Sequence, residues 1–312
     1  PSSPLSSLEI WRKIMSCRNS TYLRAEECLV YLILAKKILS DAVVELKVQA
    51  PEIAAKARPG HFIIVRHGER GERIPLTIAD WSKEDGSVDF VIQAVGYSTK
   101  AICALNPGDN ISDLAGPLGQ PAVIDRVQSV ICVAGGIGAA PIFPQARAYQ
   151  QLGAKVTTIL GARSADLLTW QDRLASISET LITCTDDGSA GEHGMVTAPL
   201  QRILQSDAEK PERIVAIGPV PMMKAVAETT RPYGIQTYVS LNPIMIDGTG
   251  MCGCCRVSVG GQTFFSCVDG PDFDGHLVDF DSLSNRQRAY RTLEKEAQEH
   301  HCRCNTKEAG QC

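Results

Sequence analysis

The chain has 312 residues, 44 % apolar and 21 % charged, with 35 acidic against 31 basic side chains and a net charge of −4. That length allows two domains and a small third module, and the acidic balance excludes a general nucleic-acid binder, whose surface is basic. Aromatics at 5 % give no stacking platform for bases, and the longest apolar run, Leu29 to Ala35, falls short of the roughly 20 residues that span a bilayer.

Residues 1–28 carry no clear pattern and form an unassigned extension. Residues 29–124 read as β structure. Ala42 to Val48, His61 to Arg66 and Ser87 to Val95 are short and rich in β-branched residues, with punctuation at Pro59-Gly60, Asp85-Gly86, Pro107-Gly108 and Gly116-Pro117. Many short strands with such turns predict an antiparallel barrel. Residues 125–240 change rhythm. Strands are expected at 130–134, 155–160, 180–185, 213–217 and 236–239, and helices at 140–152, 195–204 and 222–231. Continuous apolar strands alternating with helices predict a parallel sheet of about five strands, covered on both faces. Residues 241–285 are rich in turns and cysteine. The stretch 276–299 reads as a charged helix, so that 286–312 completes the chain as helix and loose tail.

Glycine marks the first chemical motif. Gly135-Gly136-Ile137-Gly138-Ala139-Ala140-Pro141 follows a buried strand and opens a helix. Glycine lets backbone amides approach a pyrophosphate, and the helix N-terminus supplies partial positive charge. Arg163, Asp187 and Gly218 stand at later strand ends, and open α/β sheets bind ligands outside the carboxyl ends of their strands. In the barrel, Arg73-Ile74-Pro75-Leu76-Thr77 joins a guanidinium suited to phosphate with a hydroxyl. By pattern alone, Arg73 reads as a surface charge rather than as a ligand. Gly96, Ser98 and Thr99 add small polar donors, and Gly116 a close-approach turn.

Cysteine is the unusual count, at twelve. The first 30 residues lack a charged start followed by an apolar stretch and a cleavage site, so the expectation is a reducing cytoplasm rather than a disulfide framework. Cys103, Cys132 and Cys184 lie among apolar neighbours and read as small core residues. Asp247, Cys252, Cys255 and Cys267 need another reason. Three thiolates and a carboxylate suit two sulfide-bridged irons, and the spacing also suits tetrahedral zinc. Cys254 is a further thiol. As the immediate neighbour of Cys255 it is expected to point away, which favours Asp247 as fourth ligand.

These motifs, in this order from about Tyr31 to Arg291, resemble the ferredoxin-NADP reductase superfamily. The stretches RIPLTIAD, GGIGAAPIFPQA, AIGPVPMMKAV and NPIMIDGTGMCGCCRVSVGG resemble one branch in particular. It holds the dihydroorotate dehydrogenase electron-transfer subunits and the small subunits of NADH-dependent reduced ferredoxin:NADP oxidoreductases. The resemblance implies an antiparallel FAD-binding barrel (29–124), a parallel NAD(P)-binding sheet (125–240) and a [2Fe–2S] module (241–285). It implies FAD at Arg73, Pro75, Leu76, Thr77, Gly96, Ser98, Thr99 and Gly116. NAD(H) or NADP(H) is implied at Gly136, Gly138, Ala140, Arg163, Asp187 and Gly218, and the cluster on Asp247, Cys252, Cys255 and Cys267. It further implies a larger flavin and iron–sulfur partner subunit, with ferredoxin reached through that complex. The dihydroorotate-type branch has Cys where this chain has Asp247. Leu76 stands where plant-type reductases have Tyr, Ile217 where they have Cys, and Cys254 where Ala is expected. The competing readings are a subunit of dihydroorotate dehydrogenase or another dehydrogenase, a non-catalytic assembly subunit, and a zinc-stabilised nucleotide-binding regulator without turnover.

Overall fold

The computed structural model describes residues 31–68, 71–207, 209–290, Thr292 and Glu294. The extension 1–28 and the Cys302-Arg303-Cys304 tail lie outside the described residues.

The first domain is a barrel of two antiparallel sheets. Strands β1 (Tyr31–Ser40), β2 (Val43–Gln49), β5 (Asp80–Ser82), β6 (Ser87–Gln93) and β7 (Asn110–Ile111) pair in the order β5-β6-β2-β1-β7. Strands β3 (Phe62–Arg66), β4 (Ile74–Thr77) and β8 (Asp113–Leu118) pair in the order β4-β3-β8. Two short helices cover it, α1 (Pro51–Lys56) and α2 (Tyr97–Ala104). Strand β2 shows why the local pattern does not alternate. Val44, Leu46 and Val48 fill the barrel core, while Val43 and Glu45 on the other face are buried against the second domain. A strand covered on both faces reads as a continuous apolar run.

The second domain holds β9 (Ser129–Gly135), α3 (Ala139–Gln151), β10 (Lys155–Ala162), α4 (Gln171–Ile177), β11 (Thr180–Thr185), β12 (Glu192–His193), α5 (Thr197–Gln205), β13 (Arg213–Ile217), α6 (Val220–Thr230) and β14 (Gln236–Ser240). The expected five parallel strands are present, in the order β11-β10-β9-β13-β14. The sheet is wider than expected. The two-residue β12 adds a parallel edge, and β17 (Asp272–Asp274) adds an antiparallel one against β14. Strand order reverses between β9 and β13, which opens a crevice at their carboxyl ends.

The cysteine-rich segment contains the hairpin β15 (Arg256–Val259) and β16 (Gln262–Phe265), and is followed by α7 (Phe280–Arg288). Asp279 caps α7, accepting a bond from the Ser282 amide at 2.9 Å. The segment is fastened to both domains. Through β17 it is a strand of the parallel sheet. On the barrel side, Phe62 and Ile64 of β3 share one buried cluster with Met245, Cys255 and Cys267. Gln120 reinforces this contact, its amide donating to the Gly270 carbonyl at 2.6 Å and its Nε2 to the Val268 carbonyl at 2.8 Å. Among the described residues no helix is long and apolar enough to cross a membrane.

Candidate functional site

The crevice of the parallel sheet is built from glycine. At Gly138 a Cβ would run into the Ile217 carbonyl, so α3 starts hard against the end of β13. A Cβ at Gly135 would meet the Met222 sulfur. Gly136 is different. Its φ is +55°, a conformation that favours glycine, and nothing lies within 4 Å of where its Cβ would be. Two of these glycines therefore serve packing, and the third opens a cradle of the kind a pyrophosphate needs. Ala140 lies buried in the first turn of α3, and Gly218 directly follows β13 close to Gly135. The loops after β10 and β11 are joined as one rim. The Asp187 amide donates to the Arg163 carbonyl at 3.2 Å, and Ser189 Oγ accepts from the Ala165 amide at 2.8 Å while donating to Asp187 Oδ1 at 2.6 Å. The Ser189 hydroxyl and amide hold the Asp187 carboxyl below its ordinary range, ionised and exposed. The Arg163 side chain is exposed beside it.

On the barrel, Pro75, Leu76 and Thr77 lie half-buried on β4, which is the edge of its sheet. One side of its backbone is thus free of sheet pairing. Arg73 precedes β4 and is exposed. Ser98 is buried and donates to Glu72 Oε2 at 2.8 Å. The Thr99 hydroxyl accepts from the Gly96 and Val95 amides at 2.9 and 3.1 Å, so it caps the start of α2. Gly116 is explained by packing, since a Cβ there would meet Ile63 Cγ2 at 2.7 Å.

The sulfur donors form pairs. Cys255 and Cys267 are buried with sulfurs 3.1 Å apart. Burial, and then Cys255, push the Cys267 thiol up to about 12. Cys252 is exposed, and backbone amides of Cys254, Asp247 and Ile246 aimed at its sulfur hold its thiol below the ordinary range. Cys254 lies beside Cys252, its own thiol raised by desolvation and by that neighbour. Gly253, at φ +68°, turns the chain between Cys252 and Cys254. Asp247 Oδ2 accepts from the Thr249 amide at 2.9 Å, from the Thr249 hydroxyl, and from the Met251 amide at 3.3 Å. The Thr249 bonds, with a smaller contribution from Arg73, keep this carboxyl ionised. Among the described residues no three His, Cys, Asp or Glu side chains converge on one metal position. The close buried pair Cys255 and Cys267, with Cys252 receiving backbone amides at its sulfur, suits the thiolate ligation of an iron–sulfur cluster.

Sequence reasoning missed the seam between the domains, where Glu45, Asp80, Arg147 and Arg173 meet. Isolated charges on short strands give no local signal of such a meeting.

A family model of the iron–sulfur cluster binding domain of dihydroorotate dehydrogenase B matches residues 242–279. The electron-transfer subunit homolog of dihydroorotate dehydrogenase B from Thermotoga maritima is 43 % identical over 84 % of this chain and 92 % of its own. The chain belongs to the dihydroorotate dehydrogenase B electron-transfer subunit family. Among this family's relatives, an uncharacterized protein in the adh 3′ region of Clostridium beijerinckii is 44 % identical over 91 % of this chain and 98 % of its own. A solved structure of the NADH-dependent reduced ferredoxin-NADP oxidoreductase, concerned with flavin-based electron bifurcation, includes a similar chain. It is 40 % identical, with a TM-score of 0.82 over 91 % of this chain and 99 % of that one. The chain is thus an oxidoreductase electron-transfer subunit of the ferredoxin-NADP reductase type, with an iron–sulfur domain.

Proposed function

We propose that this subunit exchanges hydride with a nicotinamide nucleotide at FAD and passes single electrons through a [2Fe–2S] cluster to a larger partner subunit, in an electron-bifurcating ferredoxin:NADP oxidoreductase. Its cofactors are FAD, the [2Fe–2S] cluster and NAD(P)H. Bound FAD supplies the exchange between two-electron hydride chemistry and one-electron transfer.

The chain's own residues bind and position. Arg73 would hold a flavin phosphate, and the open edge of β4 would face the ring at Pro75, Leu76 and Thr77. Gly96, Ser98, Thr99 and Gly116 would shape the rest of the flavin cleft. Gly136, Gly138, Ala140 and Gly218 would line the dinucleotide crevice, with Arg163 and Asp187 on its outer rim. Cys252, Cys255 and Cys267 would ligate the cluster with Asp247, whose Oδ1 accepts none of the three loop bonds that Oδ2 takes. No side chain is assigned as general base. The observation that carries the reading is continuity. Strand β4 pairs with β3 in the register Ile64↔Pro75 and Ile63↔Leu76, and Ile64 packs in the same cluster as Cys255 and Cys267. One strand therefore separates the flavin segment from the sulfur donors.

Asp247, where the dihydroorotate-type branch has Cys, favours the bifurcating reading over a dihydroorotate dehydrogenase. The partner would be a larger flavin and iron–sulfur subunit, with ferredoxin reached through it, and the reduced thiols suit the cytoplasm. The test is anaerobic mixing with NADH followed by electron paramagnetic resonance of frozen samples. The reading expects a reduced-cluster signal once the flavin bleaches. A bleached flavin beside a cluster that stays oxidised would count against the relay.

A further inference from the structure

The barrel and the nucleotide-binding domain meet at a seam that is apolar at its centre and charged at its edge. Val43, Ala79 and Val91 of the barrel share a buried cluster with Phe143, Leu168 and Trp170 of the second domain. Around them the barrel presents Glu45 and Lys47 on β2, Asp80 on β5 and Asp89 on β6. The second domain presents Arg147 on α3, Arg173 on α4 and the indole of Trp170. Glu45 is 7 % exposed and accepts from Trp170 Nε1 at 3.2 Å and from Arg173 Nη2 at 2.9 Å. Arg147 bonds Asp80 at 2.9 Å. The Arg173 guanidinium also lies 4.1 Å from the centre of the Trp170 ring.

Two groups in this seam are left over, one on each domain. Asp89 is 6 % exposed, and its Oδ1 is sealed from solvent with no hydrogen-bond partner. Arg173 Nη1 is likewise sealed and unbonded, 3.9 Å from Asp80 Oδ2. A buried donor and a buried acceptor left unpaired each cost free energy, more so when charged. Asp89 lies across from Lys47 on β2 and from Asp80 on β5 in the sheet register. It therefore sits next to the acceptor that Arg173 barely reaches.

We propose that Arg173 is the moving part of a two-position interdomain latch, held by Glu45 and Asp80 in the arrangement seen here and by Asp89 in a second arrangement that shifts the nucleotide-binding domain against the barrel. The second position pairs the two orphaned groups and gives up the Arg173 bond to Glu45, which keeps the bond from Trp170 Nε1. Protonation selects between them. Burial raises the Asp89 carboxyl to about 6, against the pull of Lys47, so below that pH Asp89 is neutral and Arg173 stays with Glu45 and Asp80. Above it the ionised Asp89 competes for Arg173. The latch would set how closely the nicotinamide crevice approaches the flavin strand, and only that consequence rests on the functional reading above.

Trp81 and Trp170, two of the chain's three tryptophans, lie in the seam. The test is fluorine NMR on the full chain labelled with 5-fluorotryptophan, with lines assigned by Trp81→Phe and Trp170→Phe. The wild-type Trp170 line is expected to move between pH 5 and 8 with a midpoint about 6, and to show microsecond-to-millisecond exchange broadening above the midpoint. Asp89→Asn, which is isosteric, should abolish both and leave the line at its low-pH position. A wild-type line unchanged over this range overturns the proposal, and so does one that moves alike in Asp89→Asn. A line that shifts without exchange broadening would mean that Asp89 titrates beside a fixed Arg173, and this too overturns it. The readout needs no turnover, so its failure is distinct from failure of the redox reading.

Discussion

Asp89→Asn should stabilise the protein, by an amount that grows with pH. The wild-type carboxyl is raised from 3.8 to about 6 by burial, so the folded state binds its proton more tightly than the unfolded chain does. The sign follows: stability is lost as pH rises from 3.8 through 6, and is fully lost above 6. At 1.36 kcal/mol per pH unit the full penalty is about 3 kcal/mol. About 1.6 kcal/mol of it is already present at pH 5, so about 1.4 kcal/mol develops between pH 5 and pH 8. Asparagine keeps the shape and removes the charge. The assay is urea unfolding of holoprotein under anaerobic conditions, wild type against variant, at pH 5, 6, 7 and 8. The stability difference should widen by about 1 kcal/mol between pH 5 and 6, by a few tenths between 6 and 7, and level off by pH 8. A difference that stays constant with pH, or a variant less stable at pH 8, would refute the claim that Asp89 is buried without an adequate partner. A latch that offers Arg173 to the ionised group would reduce the difference, so 3 kcal/mol is its upper bound.

Four further outcomes follow from the site. Asp247→Ala should lose cluster absorbance faster than Cys254→Ala on aerobic standing; the opposite order would make Cys254 the fourth ligand. Arg73→Ala should release flavin on dilution and gel filtration, whereas retention equal to wild type would return Arg73 to an ordinary surface charge. Gly138→Ala forces a methyl group into the Ile217 carbonyl, and should lower stability by about 1–3 kcal/mol, measured by thermal melting. Gly136→Ala meets no neighbour and should cost only about 1–2 kcal/mol of backbone strain while weakening nucleotide binding, read by titration calorimetry.

The elements that could be read from sequence were those whose stability is local. Strand β13 was expected at 213–217 and is Arg213–Ile217, buried at every position, because a strand buried on both faces carries its own apolar signature; β11 was expected at 180–185 and is Thr180–Thr185 although it is mostly half-buried. Helices α1, α2 and α4 were not anticipated. Each is eight residues or shorter, and α4 starts from Trp170 in a left-handed conformation with φ +60°. Strand β17 was equally invisible, since three residues join the sheet only through pairing with Tyr238, Val239 and Ser240. For the candidate site, the glycine turn could be read in outline, but not that Gly138 serves packing while Gly136 faces open space. The seam charges Glu45, Asp80, Asp89, Arg147 and Arg173 come from five separate elements. Only the assembled fold brings them together.

The central claim is that one chain carries both a flavin and a dinuclear iron–sulfur cluster within electronic reach of a nicotinamide nucleotide. An anaerobic visible spectrum before and after NADH, with flavin, iron and acid-labile sulfide counted on the same sample, tests it most directly. The account predicts one FAD, two irons and two sulfides per chain, with both chromophores bleached by NADH. A colourless protein containing zinc, prepared under the same conditions, would contradict it.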